Sequence, residues 1–307
     1  MGNYLICILG PTAIGKTKVS IDIAKAFGTE IISCDSRQFY KEMQIGTAVP
    51  SEEELAQVQH HFIQHLSIFE DYSVGDYEKE ALKKIDELFQ NKNILCLTGG
   101  SGLYQKAVLK GLDYFPNVDK TIRKKLNATF ENEGIKSLQI QLKRLDPEYY
   151  ATVDTQNPHR LIRALEICIG TSKPYSSFIN TNKTTNRDFK VLKIGLTADR
   201  KVIYKRIEQR VDIMFDNGLL KEAQSLYQYK NLNALQTVGY KELFEHFDGN
   251  LTLDKAKAEI KKNTRRYAKR QLTWYRKQDD IKWFDYDAEI DEILEYIKSL
   301  SIIKPKL

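Results

Sequence analysis

The residues best suited to chemistry lie near the N-terminus, where the segment GPTAIGKT follows an apolar run and precedes a helical pattern. This segment fits the P-loop pattern G-x-x-x-x-G-K-[ST]. In a P-loop, backbone N–H groups and a helix N-terminus surround phosphate oxygens, the lysine adds a positive charge, and the hydroxyl can bind Mg²⁺. The pattern therefore predicts a diphosphate or triphosphate site without specifying the ligand. Its residues are Gly10, Pro11, Thr12, Ala13, Ile14, Gly15, Lys16 and Thr17.

A second reactive group is Asp35, which follows the next predicted strand. Ligands of parallel sheets bind beyond the carboxyl ends of the strands, so we expect Asp35 to face the phosphate site. There it could act as a general base that takes a proton from an attacking amine, or as an outer partner of Mg²⁺. The adjacent Ser36, Arg37 and Gln38 could read the edge of a base. Ser101, after another glycine-rich strand end, is expected at the same pocket.

Basic residues in the C-terminal third form two further groups. Arg206 and Arg210 are four residues apart and share one helix face. Near a P-loop, such arginines can stabilise charge that develops on a leaving phosphate. The segment 261–277 contains eight Lys or Arg residues and no acid, interleaved with aromatic residues. Since the segment itself has no counter-charge, we expect it to face a polyanion through residues such as Arg266 and Arg270.

The elements that must position these residues alternate along the chain. Apolar strand patterns separated by helical patterns predict an α/β fold, a P-loop NTPase-like parallel sheet flanked by helices, with an inserted all-helical subdomain. The strand patterns are YLICILG at 4–10, EIISCDS at 30–36, NILCLTGG at 93–100 and VLKIGLT at 191–197.

The predicted insertion spans 113–188, where helical patterns occur without a convincing strand. The core domain would then comprise 1–112 and 189–307. The C-terminal half of the chain is expected to be helical and to contain the basic helices. Within the insertion, Asn157 and Pro158 are typical of a helix N-cap and first position. The polar stretch at 177–190 predicts an exposed or mobile connection.

Composition narrows the class of protein. The chain has 307 residues, 42% of them hydrophobic and 29% charged, with a formal net charge of +6. This is an ordinary globular composition. No apolar run is long enough to span a bilayer and no cleavable leader is recognisable, which predicts a cytoplasmic protein without a membrane partner. The four cysteines are far apart and are expected to be buried and reduced, with no zinc site.

Taken together, these segments resemble the tRNA dimethylallyltransferases, also called tRNA isopentenyltransferases. The resemblance covers nearly the whole chain. The chain resembles the bacterial type of the family in particular, because it has no C-terminal Cys/His set. One departure is Ser101, where the family usually has threonine. The matching segments are GPTAIGKT at 10–17, DSRQFY at 35–40, IGTA at 45–48, GGSGLY at 99–104, NPHRLIRALE at 157–166, IEQR at 207–210, VGYKE at 238–242 and AKRQLTW at 268–274.

The resemblance implies that dimethylallyl diphosphate donates its five-carbon group to N6 of adenosine 37, immediately 3′ of the tRNA anticodon, without ATP. It implies that Lys16 and Thr17 hold the donor diphosphate and Mg²⁺, that Asp35 accepts the N6 proton, and that Arg210 offsets charge on the leaving diphosphate. Ser101 would bond adenine or diphosphate. The implied tRNA contacts, centred on the anticodon stem-loop, are Asp35, Ser36, Arg37, Gln38, Ser101, Arg123, His159, Arg160, Leu161, Ile162, Arg163, Gln236, Gly239, Tyr240, Lys241, Arg266 and Arg270.

We expect the protein to be a monomer. Two other functional classes stay open at this stage. A P-loop kinase for a small molecule or nucleoside would use the same loop and Mg²⁺ but would consume ATP. Against it, the strand ending at Thr98 is followed by two glycines, where a Walker-B carboxylate is expected. An RNA-binding NTPase would explain the basic segment but would leave Asp35 and the arginine pair without a role.

Overall fold

The sheet consists of parallel strands in the order β3-β2-β4-β1-β5-β6, as seen in a computed structural model that describes residues 2–179 and 187–300. Helices cover both faces, which is why the central strands are continuously apolar. All six residues of β1 are buried. The strands are β1 (Tyr4–Leu9), β2 (Ile31–Ser33), β3 (His60–His61), β4 (Ile94–Thr98), β5 (Lys190–Thr197) and β6 (Ile281–Asp285).

The chain divides into two compact units, one formed by Met1–Leu109 with Arg187–Leu307 and the other by Lys110–Asn186. The first unit holds the sheet and the second is helical where it is described. In chain order the helices are α1 (Lys16–Ala26), α2 (Glu52–Gln57), α3 (Val74–Phe89), α4 (Gly102–Lys110), α5 (Lys120–Glu133), α6 (Ile135–Leu145), α7 (Pro147–Thr152), α8 (Pro158–Thr171), α9 (Arg200–Asp216), α10 (Leu219–Leu226), α11 (Tyr240–Phe247), α12 (Leu253–Tyr275) and α13 (Ile290–Ser299).

Local signals explain where several helices begin. The Ser73 side chain accepts a hydrogen bond from the Asp76 N–H, and the Asp76 carboxylate accepts one from the Ser73 N–H, which caps α3. In the helical unit, the Asn157 side chain caps α8 and Pro158 occupies its first turn, as the sequence predicts. None of the described helices is long and apolar enough to cross a membrane.

One detail of the predicted fold is wrong. The C-terminal half is not purely helical, because β6 pairs with β5 at the edge of the sheet. Lys282 on β6 is exposed, so the strand lacks the buried apolar run that marks the central strands. The polar stretch at 177–190 is only partly described, since 180–186 lie outside the described residues. At its described C-terminal end Asp188 and Lys190 are exposed as expected, whereas Phe189 is buried and packs against Phe89.

Candidate active site

The sheet order brings three loops to one edge. Strands β2, β4 and β1 are neighbours, so the P-loop after β1, the glycine turn after β4 and Asp35 after β2 lie side by side at their carboxyl ends. These loops line a cavity of about 390 Å³. The described cavity wall also includes Arg206 and Arg210 from α9, Tyr267 and Gln271 from α12. Its apolar lining residues are Ala13, Ile14, Ala48, Val49, Pro50 and Ile63.

The P-loop wraps around the side chain of Lys16. The ammonium donates hydrogen bonds to the carbonyl oxygens of Gly10 (3.1 Å) and Pro11 (2.8 Å). A Cβ on Gly10 would lie 2.6 Å from the Leu196 carbonyl oxygen, so only glycine fits this approach of the loop to β5. Burial, followed by the positive charge of Arg210, lowers the pKa of Lys16 to about 8. A bound anion would raise this pKa again, because its negative charge favours the protonated ammonium.

Asp35 is held by two backbone donors. One carboxylate oxygen accepts a hydrogen bond from the Gly100 N–H (3.1 Å), and the other accepts one from the Arg37 N–H (3.2 Å). The glycine turn approaches so closely that a Cβ on Gly99 would lie 2.5 Å from the Asp35 nitrogen. The carboxylate is therefore oriented toward the cavity it lines, and it faces the P-loop as predicted.

The other residues around Asp35 are bonded within the protein. The Ser101 hydroxyl accepts a hydrogen bond from the Ser36 N–H (3.1 Å) and lies 2.9 Å from the Ser36 hydroxyl. The Arg37 guanidinium donates to the backbone carbonyls of Asn233 (2.9 Å) and Ala234 (2.8 Å), which precede α11. The Gln38 amide donates to the Thr47 and Ala48 carbonyls. Of this group, only Gln38 lines the cavity together with Asp35.

The two arginines of α9 contact the P-loop in different ways. Arg206 donates from Nε to the Ala13 carbonyl at 2.7 Å, and its guanidinium stacks over the Tyr286 ring. Arg210 donates from Nη1 to the Thr12 hydroxyl at 3.4 Å. Burial, followed by the charge of Arg206, lowers the pKa of Arg210. The P-loop is thus flanked by two cations of α9.

Helix α12 has two different faces. The expectation that its basic stretch lacks counter-charges is wrong for three residues. Lys261 and Arg265 pair with Asp212 and Glu208 of α9 at 2.8 Å and 2.9 Å, and Lys262 pairs with Glu259 one turn earlier on α12. The sequence segment contains no acid, but the neighbouring helix supplies two. The positions that remain exposed on α12 include Arg266, Lys269, Arg270 and Trp274.

The predicted tRNA-contacting residues of the helical unit include both exposed and buried positions. Arg123 and Arg163 are partly exposed, and both donate hydrogen bonds to the Glu166 carboxylate, at 3.0 Å and 2.9 Å. His159 and Arg160 are exposed or nearly so at the start of α8. Leu161 and Ile162 are 0% and 3% exposed and belong to the core of this unit, so their side chains are not on its described surface.

The predicted tRNA contacts near α11 also include both exposed and buried positions. Gln236 and Lys241 are exposed. Tyr240 is fully buried and donates from its hydroxyl to Glu222 at 2.6 Å, and Gly239 is buried beside it. The motif that contains these residues therefore includes structural positions as well as surface positions.

Sequence reasoning missed Tyr267 and Gln271 as parts of this site. Both lie on the inner face of α12 and reach the turn at Gly100. The available signal was a pair of uncharged hydrogen-bonding side chains four residues apart in a strongly basic stretch, which places them on one helix face.

The fold and the site define a P-loop protein in which a carboxylate and an arginine face the phosphate cradle. Residues 38–278 match the IPP transferase family. The chain is 61% identical to the tRNA dimethylallyltransferase of Christiangramia forsetii, over 97% of this chain and 99% of that relative. It is 60% identical to the Flavobacterium johnsoniae protein of the same name, over 96% and 97% of the two chains. The chain belongs to the IPP transferase family.

Solved structures agree with this assignment. The full-length tRNA isopentenylpyrophosphate transferase of Bacillus halodurans has a TM-score of 0.71 and 38% identity, covering 97% of this chain and 95% of that one. A eukaryotic dimethylallyltransferase described as acting on tRNA has a TM-score of 0.81 and 26% identity, covering 100% of this chain and 81% of that one.

Proposed function

We propose that this protein transfers the dimethylallyl group of dimethylallyl diphosphate to N6 of adenosine 37 in tRNA and releases diphosphate. The observation that carries the proposal is the meeting of Asp35, Lys16 and Arg210 in one cavity. A phosphate cradle, a leaving-group cation and a positioned carboxylate are what transfer of an alkyl group from a diphosphate to an amine requires. The names of the relatives support the same reaction.

In the proposed mechanism, the N6 nitrogen attacks C1 of the donor and a C–N bond forms. The C1–O bond breaks, and its electron pair leaves with the diphosphate oxygen. Lys16, Arg210 and the P-loop N–H groups stabilise the negative charge that develops there. Asp35 accepts the proton that N6 loses. The reaction balances without ATP, oxidant or reductant.

The residues at the loop fit a magnesium ion. Thr17 supplies a hard oxygen at the start of α1 and lines the cavity. Among the described residues no cluster of three or more His, Cys, Asp or Glu could hold a metal alone. Mg²⁺ suits such a site because it commonly keeps water and substrate phosphate oxygens as its other ligands. When bound, Mg²⁺ would neutralise charge on the donor diphosphate, with Thr17 as the protein ligand.

The proposed RNA substrate is the anticodon stem-loop, with the target base drawn out of its stack so that N6 reaches Asp35. Support comes from exposed cations on each unit taken separately. On the sheet unit these are Arg266, Lys269 and Arg270, and on the helical unit they are Arg123 and Arg160, with Arg163 partly exposed beside them. Phosphate contacts of this kind would make binding fall steeply with salt.

The test is a reaction of purified protein with Mg²⁺, dimethylallyl diphosphate and an unmodified tRNA that carries adenosines at and after the last anticodon position. Digestion and mass analysis should reveal N6-dimethylallyladenosine without added ATP. A parallel reaction with ATP in place of the donor should give no nucleotide hydrolysis coupled to tRNA. ATP turnover with no prenylated base would instead support a kinase or NTPase.

Donor affinity is expected to depend on the protonation of Lys16. Since the pKa of Lys16 in the free protein is about 8, and a diphosphate binds the charged ammonium, affinity should fall as the pH rises above that value. The limiting slope is about tenfold per pH unit until the pKa of the complex is reached. Equilibrium binding of the donor from about pH 7 to about pH 9.5 measures this. In Lys16→Met this pH dependence of donor affinity should be lost. If the variant lost affinity with pH in parallel with the parent, Lys16 would not be the titrating group.

A further inference from the structure

Gln271 joins the phosphate loop to the turn that holds Asp35. Its side chain is 5% exposed and uses both ends of its amide. The amide oxygen accepts a hydrogen bond from the Thr12 N–H of the P-loop at 2.8 Å, and the amide nitrogen donates to the Gly100 carbonyl at 2.9 Å. Only this orientation of the amide satisfies both partners, since one is a donor and the other an acceptor.

Gly100 is the point at which these contacts converge. Its carbonyl also accepts a hydrogen bond from the Tyr267 hydroxyl at 2.7 Å, while its N–H donates to Asp35. A Cβ added to Gly100 would lie 2.7 Å from the Asp35 carboxylate, 3.1 Å from the Tyr267 hydroxyl and 3.2 Å from the Gln271 amide nitrogen. The residue is therefore fixed by α12 on one side and orients Asp35 on the other.

We propose that Gln271, assisted by Tyr267, is a positioning residue that sets the orientation of Asp35 and ties it to the donor-binding loop. The inference rests on the proposed transfer reaction. The hydrogen bonds of Gln271 go to Thr12 and Gly100 rather than to Asp35. Gln271 acts through the Gly100 N–H, so a shift of this turn displaces the carboxylate from the amine it must deprotonate. Small misplacements of this kind have large effects on rate.

The test is Gln271→Met, which keeps the length of the side chain and removes both hydrogen bonds. We expect kcat to fall about tenfold to a hundredfold, while the KM for tRNA changes little and the melting temperature falls by a few degrees because the Thr12 N–H loses its partner. Gln271→Glu keeps the acceptor for Thr12 but places a carboxylate against the Gly100 carbonyl, so its kcat should fall at least as far. Tyr267→Phe leaves one donor to Gly100 and should have a smaller effect. Thr273→Ala is the matched control, because Thr273 is exposed on the opposite face of the same helix and donates only to Lys269 of that helix.

A double-mutant cycle separates positioning from a general structural role. If Gln271 acts through Asp35, then Gln271→Met should have almost no further effect on kcat in an Asp35→Asn background. Equal fold-losses in both backgrounds would overturn the inference, as would a Gln271→Met enzyme with the kcat of the parent. A parent protein that makes no prenylated tRNA would instead refute the proposed function, so the two failures are distinguishable.

Discussion

Asp35→Asn should lower kcat for tRNA prenylation by about 10²- to 10⁴-fold, the range that general base catalysis contributes. The substitution preserves the shape of the side chain and one acceptor oxygen for the Gly100 N–H, so the turn after β4 should keep its position. What it removes is the ability to accept the N6 proton. Donor binding should survive, because the hydrogen bonds of Asp35 go to Gly100 and Arg37 and not to the P-loop, although its charge favours the protonated form of Lys16.

The measurement is single-turnover prenylation with saturating donor and tRNA, beside separate binding assays for each substrate. Asp287→Asn is a suitable control, since it removes a carboxylate from an exposed position in the turn after β6. If Asp35→Asn retained the parent kcat, the base would have to be another group and the role assigned to Asp35 would be wrong. A loss of donor binding equal to the loss of rate would indicate an electrostatic role in the ground state instead.

The sequence predicts the components of this site better than their contacts. The P-loop, the strands that precede it and follow it, and the capped start of α8 all depend on patterns within about ten residues, which local propensity and periodicity can define. Asp35 could be placed near the loop because strand ends of a parallel sheet share one edge. This rule holds whichever strands are neighbours, so it applies even without the order of the strands in the sheet.

The remaining contacts depend on sheet order and on residues far apart in the chain. Because β4 lies between β1 and β2, the Gly100 N–H reaches Asp35 and the Gly100 carbonyl reaches α12. No local pattern reports this. Likewise, Arg37 has the charge of a base-reading residue, yet its guanidinium bonds carbonyls almost two hundred positions later in the chain. Leu161 and Ile162 are different, since the apolar periodicity of α8 could have assigned them to the core.

Acidic partners affect the basic side chains of the two units in different ways. On α9 and α12 several basic side chains are already paired with acids, so the proposed RNA surface consists of the exposed basic residues rather than of all of them. On the helical unit one buried carboxylate, Glu166, accepts hydrogen bonds from both Arg123 and Arg163. Such a carboxylate restricts both guanidinium groups before a phosphate binds, which lowers the entropic cost of ordering them.

Arg210→Lys should reduce kcat by about 10²- to 10³-fold, which is the usual cost of removing one preorganised donor from a developing negative charge. The lysine keeps the positive charge but loses the planar set of donors. The KM for the donor should rise less than kcat falls, because the P-loop N–H groups and Lys16 still bind the diphosphate before the C–O bond breaks. Arg200→Lys, at an exposed position on the same helix, is the matched control.

A second observable separates this role from a structural one. The charge of Arg210 is among the causes that lower the pKa of Lys16, after burial. Arg210→Met removes that charge, so the pKa of Lys16 should rise and the loss of donor affinity should begin at a higher pH than in the parent. Donor binding measured across that pH range tests this without any turnover. If the pH dependence stayed where it is in the parent while kcat fell, the electrostatic coupling between the two residues would be refuted, and Arg210 would act on the leaving diphosphate alone.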